Sequence, residues 1–131
     1  MLRPPRLRAI IATLRPSQAY KAAIVFAPAL FHGNGSLWVN LPDLSLIALA
    51  WVLTSGLVYV VNDLVDLKED RLRPERADRP LVRGDLGAFQ AAALVIALFI
   101  ILIPVGFFVP HRALPFMGFY VLLNAFYALG L

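Results

Sequence analysis

The chain has 131 residues, 60% of them apolar and 15% charged, with a net charge of +4 and no cysteine. A soluble globular domain carries roughly 45–50% apolar and about 25% charged residues, and a small fold exposes too much surface to hide the excess. That composition excludes a water-soluble core and points to a bilayer. Missing cysteines exclude disulfides and thiolate metal sites. The positive balance reads as membrane topology rather than nucleic-acid binding, so no nucleic acid partner is expected.

The chain opens on MLRPPRLRAIIATLRPSQAYK, basic and punctuated by proline. Leu7, Ile10, Ile11 and Leu14 keep the i, i+3, i+4, i+7 spacing of one helical stripe, with Arg6, Arg8 and Arg15 around it. This predicts residues 1–18 as a basic interfacial segment, a short helix lying on the cytoplasmic membrane surface. A signal peptide is the competing reading, since basic residues precede AAIVFAPALF. Further apolar runs follow it, however, and no small-x-small cleavage site stands out.

Four apolar segments come next: 20–39, weakened by Pro28 and by HGNG at 32–35; 44–61, without charge; 86–109; and 113–131. Each is near the ~20 residues a helix needs to cross the hydrocarbon core. Unalternating apolar runs rule out a barrel, leaving helices to satisfy the backbone there. The predicted fold is all-α: a polytopic helical membrane protein with about four transmembrane helices, in a single membrane domain over 1–131.

Lys and Arg set the topology. Arg3, Arg6, Arg8, Arg15 and Lys21 precede the first segment's centre, the 33–43 connection has none, six fall in the central loop, and only Arg112 follows the third segment. The N-terminus and the central loop are therefore predicted on the cytoplasmic side of a multi-pass protein of the cell inner (plasma) membrane. The chain ends on FYVLLNAFYALGL, inside the fourth segment, which reads as a truncated piece of a longer protein.

Charge is concentrated in one place. Seven acids and six bases fall between Asp63 and Asp85, out of 8 and 12 in the chain. If the helix of the second span continues past Val61, then Asn62, Asp63, Asp66 and Asp70 fall within a sector of roughly 100°. Like charges so spaced repel, and a divalent cation removes the penalty. Mg²⁺ prefers one or two carboxylates, retained water and phosphate oxygens, so the spacing fits Mg²⁺ bridged to a diphosphate. Arg71, Arg73, Arg76, Arg79 and Arg83 add planar donors suited to phosphate. Pro74 and Pro80 stop helix continuation and make 72–85 a shaped loop. A solvated loop that merely anchors two spans remains open on spacing alone. His32 and His111 lie in connections predicted on the other side.

The run Asn62-Asp63-Leu64-Val65-Asp66-Leu67-Lys68-Glu69-Asp70 resembles the first aspartate-rich motif of the UbiA-type intramembrane prenyltransferases. Arg79-Pro80 is similar to the Arg-Pro pair that closes it. Upstream, Arg15-Pro16-Ser17-Gln18-Ala19-Tyr20-Lys21 and Val25-Phe26-Ala27-Pro28 resemble the first span of the decaprenyl-phosphate phosphoribosyltransferase branch. Ala19, Ala22 and Arg73 depart from that branch's usual Trp, Asn and His.

The resemblance implies a nine-helix bundle of which this chain is the N-terminal portion, without the second aspartate-rich motif. Residues 62–85 would be the cytoplasmic catalytic loop. Asp63, Asp66 and Asp70 would be catalytic and, with Asn62, hold Mg²⁺, while Lys21, Arg76 and Arg79 bind the substrate diphosphate. The implied reaction is Mg-dependent transfer of a phosphoribosyl group from phosphoribosyl diphosphate to polyprenyl (decaprenyl) phosphate, for cell-envelope arabinan precursors. The alternatives are transfer of a polyprenyl group to an aromatic acceptor such as a quinone precursor, or an inactive membrane fragment. Implied partners are the polyprenyl lipid, the diphosphate substrate and the membrane; a homo-oligomer is left open.

Overall fold

A computed structural model describes residues 7–27 and 36–128. Among them there is no strand. Helix α1 spans Leu7–Leu14 and is followed by a 3₁₀ helix, Pro16–Phe26. Helix α2 runs Ser36–Val65, α3 Leu67–Asp70, and a 3₁₀ turn Pro74–Arg76 leads to α4, Pro80–Arg83. Helices α5, Ala88–Phe108, and α6, Leu114–Ala128, complete the described chain.

Helix α2 is the axis of the fold: α1, the 3₁₀ helix, α5 and α6 all pack on it. Its 30 residues extend about 45 Å at the α-helical rise, longer than the ~30 Å hydrocarbon core. The surplus lifts Asn62 and Asp63 to the boundary of the apolar region. Two helical stretches, Leu41–Val65 and Ala88–Phe108, are long and apolar enough to cross a membrane. A shorter apolar stretch, Leu114–Phe126, lies in α6.

The second and third predicted segments thus stand as long helices. The first differs. Its described part is the 3₁₀ helix, whose 11 residues are unusual for a form that rarely exceeds 3–4. Residues 36–39 begin α2 rather than ending a separate span, and residues 28–35 and 129–131 lie outside the described ones. The proline at 16 and the left-handed Arg15 (φ 52°) start the segment out of register with α1.

Helix α1 divides its apolar stripe between the core and the outside. Ala9 and Thr13 are buried, Ile10 and Leu14 half-buried, while Leu7 and Ile11 point outward. At Gly56 α2 is met by Leu14 of α1. A Cβ there would sit 3.2 Å from Leu14 Cδ2, a tight contact that the end of the Leu14 side chain would have to relieve by a few tenths of an ångström. Thr13 donates its hydroxyl to the Ala9 carbonyl at 2.8 Å, which satisfies it inside the contact.

The core gathers at the charged end of the molecule. Ala9, Leu57, Val60, Leu81, Leu86, Ala91 and Leu98 form it, drawn from α1, α2, α4, α5 and the turn between the last two. Elsewhere α5 and α6 turn large side chains outward, among them Phe89, Phe99, Phe107, Phe108, Phe116 and Phe119. Contiguous apolar surface on this scale is what lipid or neighbouring apolar helices cover.

Candidate functional site

Helix α2 continues past Val61 to Val65, and after a turn at Asp66 the chain resumes as α3. The backbone stays nearly helical through the turn, with Asp66 N–H donating to the Asn62 carbonyl at 2.9 Å and Asp70 N–H to the Asp66 carbonyl at 2.8 Å. That continuity stacks Asp63, Asp66 and Asp70 along one face. Asp63 and Asp70 are buried, at 3% and 1% exposure. Charges so placed are kept only when paired.

Their partners are arginines. The Arg79 guanidinium bridges both buried carboxylates, at 3.0 Å from Asp63 Oδ1 and in close contact with Asp70 Oδ2. Arg76 donates to Asp70 Oδ1 at 2.8 Å and stands 4.0 Å from Asp66 Oδ2. Arg15 donates to Asp63 Oδ1 at 2.7 Å, from a position 48 residues away. Its guanidinium also lies over the Tyr59 ring, 4.8 Å from the centroid.

The loop aims these groups by its turns. Arg76 N–H bonds the Arg73 carbonyl at 3.0 Å and Arg79 N–H bonds the Arg76 carbonyl at 3.1 Å, folding the chain back over α3. Arg79 is extended (φ −67°, ψ 134°) because Pro80, the first residue of α4, disfavours a helical predecessor. Pro80 and Leu81 are buried in the core, so the base of Arg79 is fixed. Gly84, with φ 79°, ends α4 in the left-handed conformation that glycine adopts freely.

A cavity of about 500 Å³ opens over this cluster, lined by Arg15, Asp63, Glu75, Arg76, Asp78 and Arg79 among others. A second, of about 690 Å³, is lined by Gln18, Tyr20, Lys21, Trp51, Ser55, Tyr59, Tyr120 and Asn124. Trp51 and Tyr120 pack there with ring centroids 4.9 Å apart. The structure thus brings Asp63, Asp66, Asp70, Arg76 and Arg79 together but places Lys21 in the other cavity. Asn62 shares the acidic face, yet its carboxamide enters none of these pairs.

Arg15 is the residue that sequence reasoning left out of the site. No local spacing could find it, since α1 reaches the acids only in the folded chain. The available signal was charge balance: three carboxylates at an apolar boundary demand cations.

In donor chemistry the acidic face fits a hard cation such as Mg²⁺, which takes oxygen ligands. In geometry the carboxylates turn to guanidinium groups. Among the described residues no three acidic or imidazole groups are gathered closely enough to enclose an ion.

Membrane-length apolar helices that end in an aspartate-rich boundary closed by Arg-Pro define a helical membrane scaffold with a charged site at its edge. The UbiA prenyltransferase family model matches residues 18–131, and the chain belongs to that family, a polytopic helical membrane fold. The chain is similar to decaprenyl-phosphate phosphoribosyltransferases from three organisms. The Corynebacterium glutamicum protein is 29% identical over 79% of this chain and 32% of its own length. That of Mycobacterium tuberculosis is 30% identical over 68% of this chain and 31% of its own. That of Mycolicibacterium smegmatis is 24% identical over 98% of this chain and 42% of its own. The chain therefore spans about a third to two fifths of the curated relatives it matches. No solved structure matches it.

Proposed function

We propose that this chain supplies the donor-diphosphate end of a membrane transferase that moves a phosphoribosyl group from phosphoribosyl diphosphate to a polyprenyl phosphate. The observation that carries this reading is the buried Asp63–Asp70 pair gripped by three arginines at the edge of a membrane-length helix. The similarity to the three relatives supports the choice of donor and acceptor.

In the reaction the bond between the anomeric carbon and the diphosphate oxygen breaks, and the diphosphate leaves with the electron pair. A phosphate oxygen of the lipid forms the new bond to that carbon. Arg76 and Arg79 lie in the charged cavity, where their planar forks suit the departing phosphates. Asp63, Asp66 and Asp70, with Asn62, would hold Mg²⁺, which when bound neutralises charge growing on the leaving group. The apolar outer faces of α5 and α6 suit a lipid-soluble acceptor. We place the enzyme in the inner membrane with this end toward the cytoplasm, as the Lys and Arg distribution favours.

A second reading is prenyl transfer to an aromatic acceptor, which the Trp51, Tyr59 and Tyr120 walls of the larger cavity favour. Membranes containing the protein, incubated with radiolabelled phosphoribosyl diphosphate, Mg²⁺ and decaprenyl phosphate, distinguish the two. Labelled lipid is the expected product. Product only from a prenyl diphosphate and an aromatic acceptor would overturn the proposal in favour of the second reading.

A further inference from the structure

We infer that α1 lies flat in the membrane interface and docks on anionic phospholipid headgroups, with Leu7 and Ile11 in the acyl boundary and Arg8 among the phosphates. This holds whichever reaction the enzyme carries out.

The depth of α1 follows from its packing. The helix has 8 residues, about 12 Å at the α-helical rise, too short to cross the ~30 Å hydrocarbon core. Its buried Ala9 shares a core with Leu57 and Val60 of α2 and Ala91 of α5. At the same rise Val60 and Leu57 stand about 3 and 7.5 Å inside Asn62, and Ala91 about 4.5 Å inside Ala88. Amphipathic helices that lie in the interface bury their apolar face about 5–10 Å deep, and α1 is held at that level. Contacts with both α2 and α4 keep it there. Arg15, directly after α1, pins its end by donating to Asp63 at 2.7 Å.

The faces of α1 suit that position. Ala9, Ile10, Thr13 and Leu14 take the protein side. Leu7 and Ile11, one turn apart, are 70% and 45% exposed. Arg8 is exposed as well, about 100° round the axis from Leu7 and about 60° from Ile11, on the side away from the core. Water suits Arg8 but not the two apolar side chains, and hydrocarbon suits them but not Arg8. The boundary between the two solvents suits all three.

Charge selects the lipid. Five bases and no acid precede Asp43 in the sequence. Arg15 is taken up by Asp63, whereas Arg3, Arg6 and Arg8 fall in or just before a helix that carries no acid to balance them. An anionic membrane surface attracts each Lys or Arg near it strongly enough to change binding about fivefold.

The chain has no cysteine, so Leu7→Cys and Ile11→Cys each offer a single site for a bimane label. The labelled protein is placed in nanodiscs of phosphatidylcholine, alone or mixed equally with phosphatidylglycerol. A lipid carrying a nitroxide near its headgroup should quench both labels, more than a lipid carrying it at the chain end and more than aqueous iodide. Quenching by iodide alone would put this face in water, and quenching by none would put it under protein; either would overturn the docking. Amide hydrogen exchange across Leu7–Leu14 tests the choice of lipid and needs no label, so it decides the matter if a cysteine variant fails to insert. Phosphatidylglycerol should slow that exchange about tenfold or more, and Arg8→Gln should give back about fivefold. High salt should cancel the difference. Equal exchange in the two kinds of disc would overturn the anionic partner.

Discussion

The two ends of this molecule invert the usual arrangement of a protein in water. At the charged end, Asp63 and Asp70 are almost wholly enclosed. Along α5 and α6, phenylalanines such as Phe99, Phe107 and Phe116 stand outward at 59%, 78% and 72% exposure. Charge is held inside and oil is held outside. The contrast shows what holds each region: directed ion pairs at one end, the solvent of the membrane at the other.

The largest expected effect breaks the charged end. Arg79→Ala removes the one guanidinium that, among the described residues, touches both buried carboxylates. Leaving such charges without a partner costs about 3–5 kcal/mol, which thermal unfolding in detergent would read. Adding Asp70→Asn to that variant should recover part of the loss, because one of the stranded charges disappears.

The opposite end is broken by bringing charge to it. Phe99→Arg places a cation on an outward face in the middle of α5 and should disfavour insertion by about 2.5–3.5 kcal/mol. A glycosylation-mapping assay of insertion measures it. Undiminished insertion would mean that this face does not meet lipid.

A smaller effect is expected at the junction that joins the two regions. Gly56→Leu should force α1 away from α2 at Leu14, an overpacking that costs about 1–3 kcal/mol. Faster amide hydrogen exchange across Leu7–Leu14 is the expected signal. The smallest effect is Tyr120→Leu, which removes the Trp51 ring contact between α6 and α2 and should cost about 0.5–1.5 kcal/mol beyond lost area. Unfolding measured beside the Arg79 variant ranks the two.

What the sequence made legible follows the same division. The long helices α2 and α5 were readable because a run of apolar residues reports its solvent directly. The acidic face was readable because a helix repeats every few residues, so Asp63, Asp66 and Asp70 declare a shared side before any fold is known. Proline marked the loop, and Arg79-Pro80 sits where its ring requires an extended predecessor.

The rest depended on tertiary contacts. Arg15 meets Asp63 across the packing of α1 on α2, where Leu14 lies against Gly56. Apolar spacing marked Leu7, Ile10, Ile11 and Leu14 as one stripe of an interfacial helix, whereas the fold divides it: Ile10 and Leu14 pack toward the core beside buried Ala9 and Thr13, and Leu7 and Ile11 face outward. Lys21 follows Arg15 by less than two turns of helix, but the 3₁₀ path carries it to the aromatic cavity instead. The expected crossing from Tyr20 was read from apolar content alone, which does not distinguish a 3₁₀ helix from an α-helix.

Asp66 offers the most direct test of the central claim, because it is half-buried and touches Arg76 only at 4.0 Å. Its removal should leave the buried pairs and membrane insertion intact. Transfer of label from phosphoribosyl diphosphate to polyprenyl phosphate, measured for Asp66→Ala across a Mg²⁺ titration, should fall to background at every concentration. Turnover equal to that of the unsubstituted protein, at the same Mg²⁺ requirement, would contradict the account and leave the acidic face a membrane-boundary anchor.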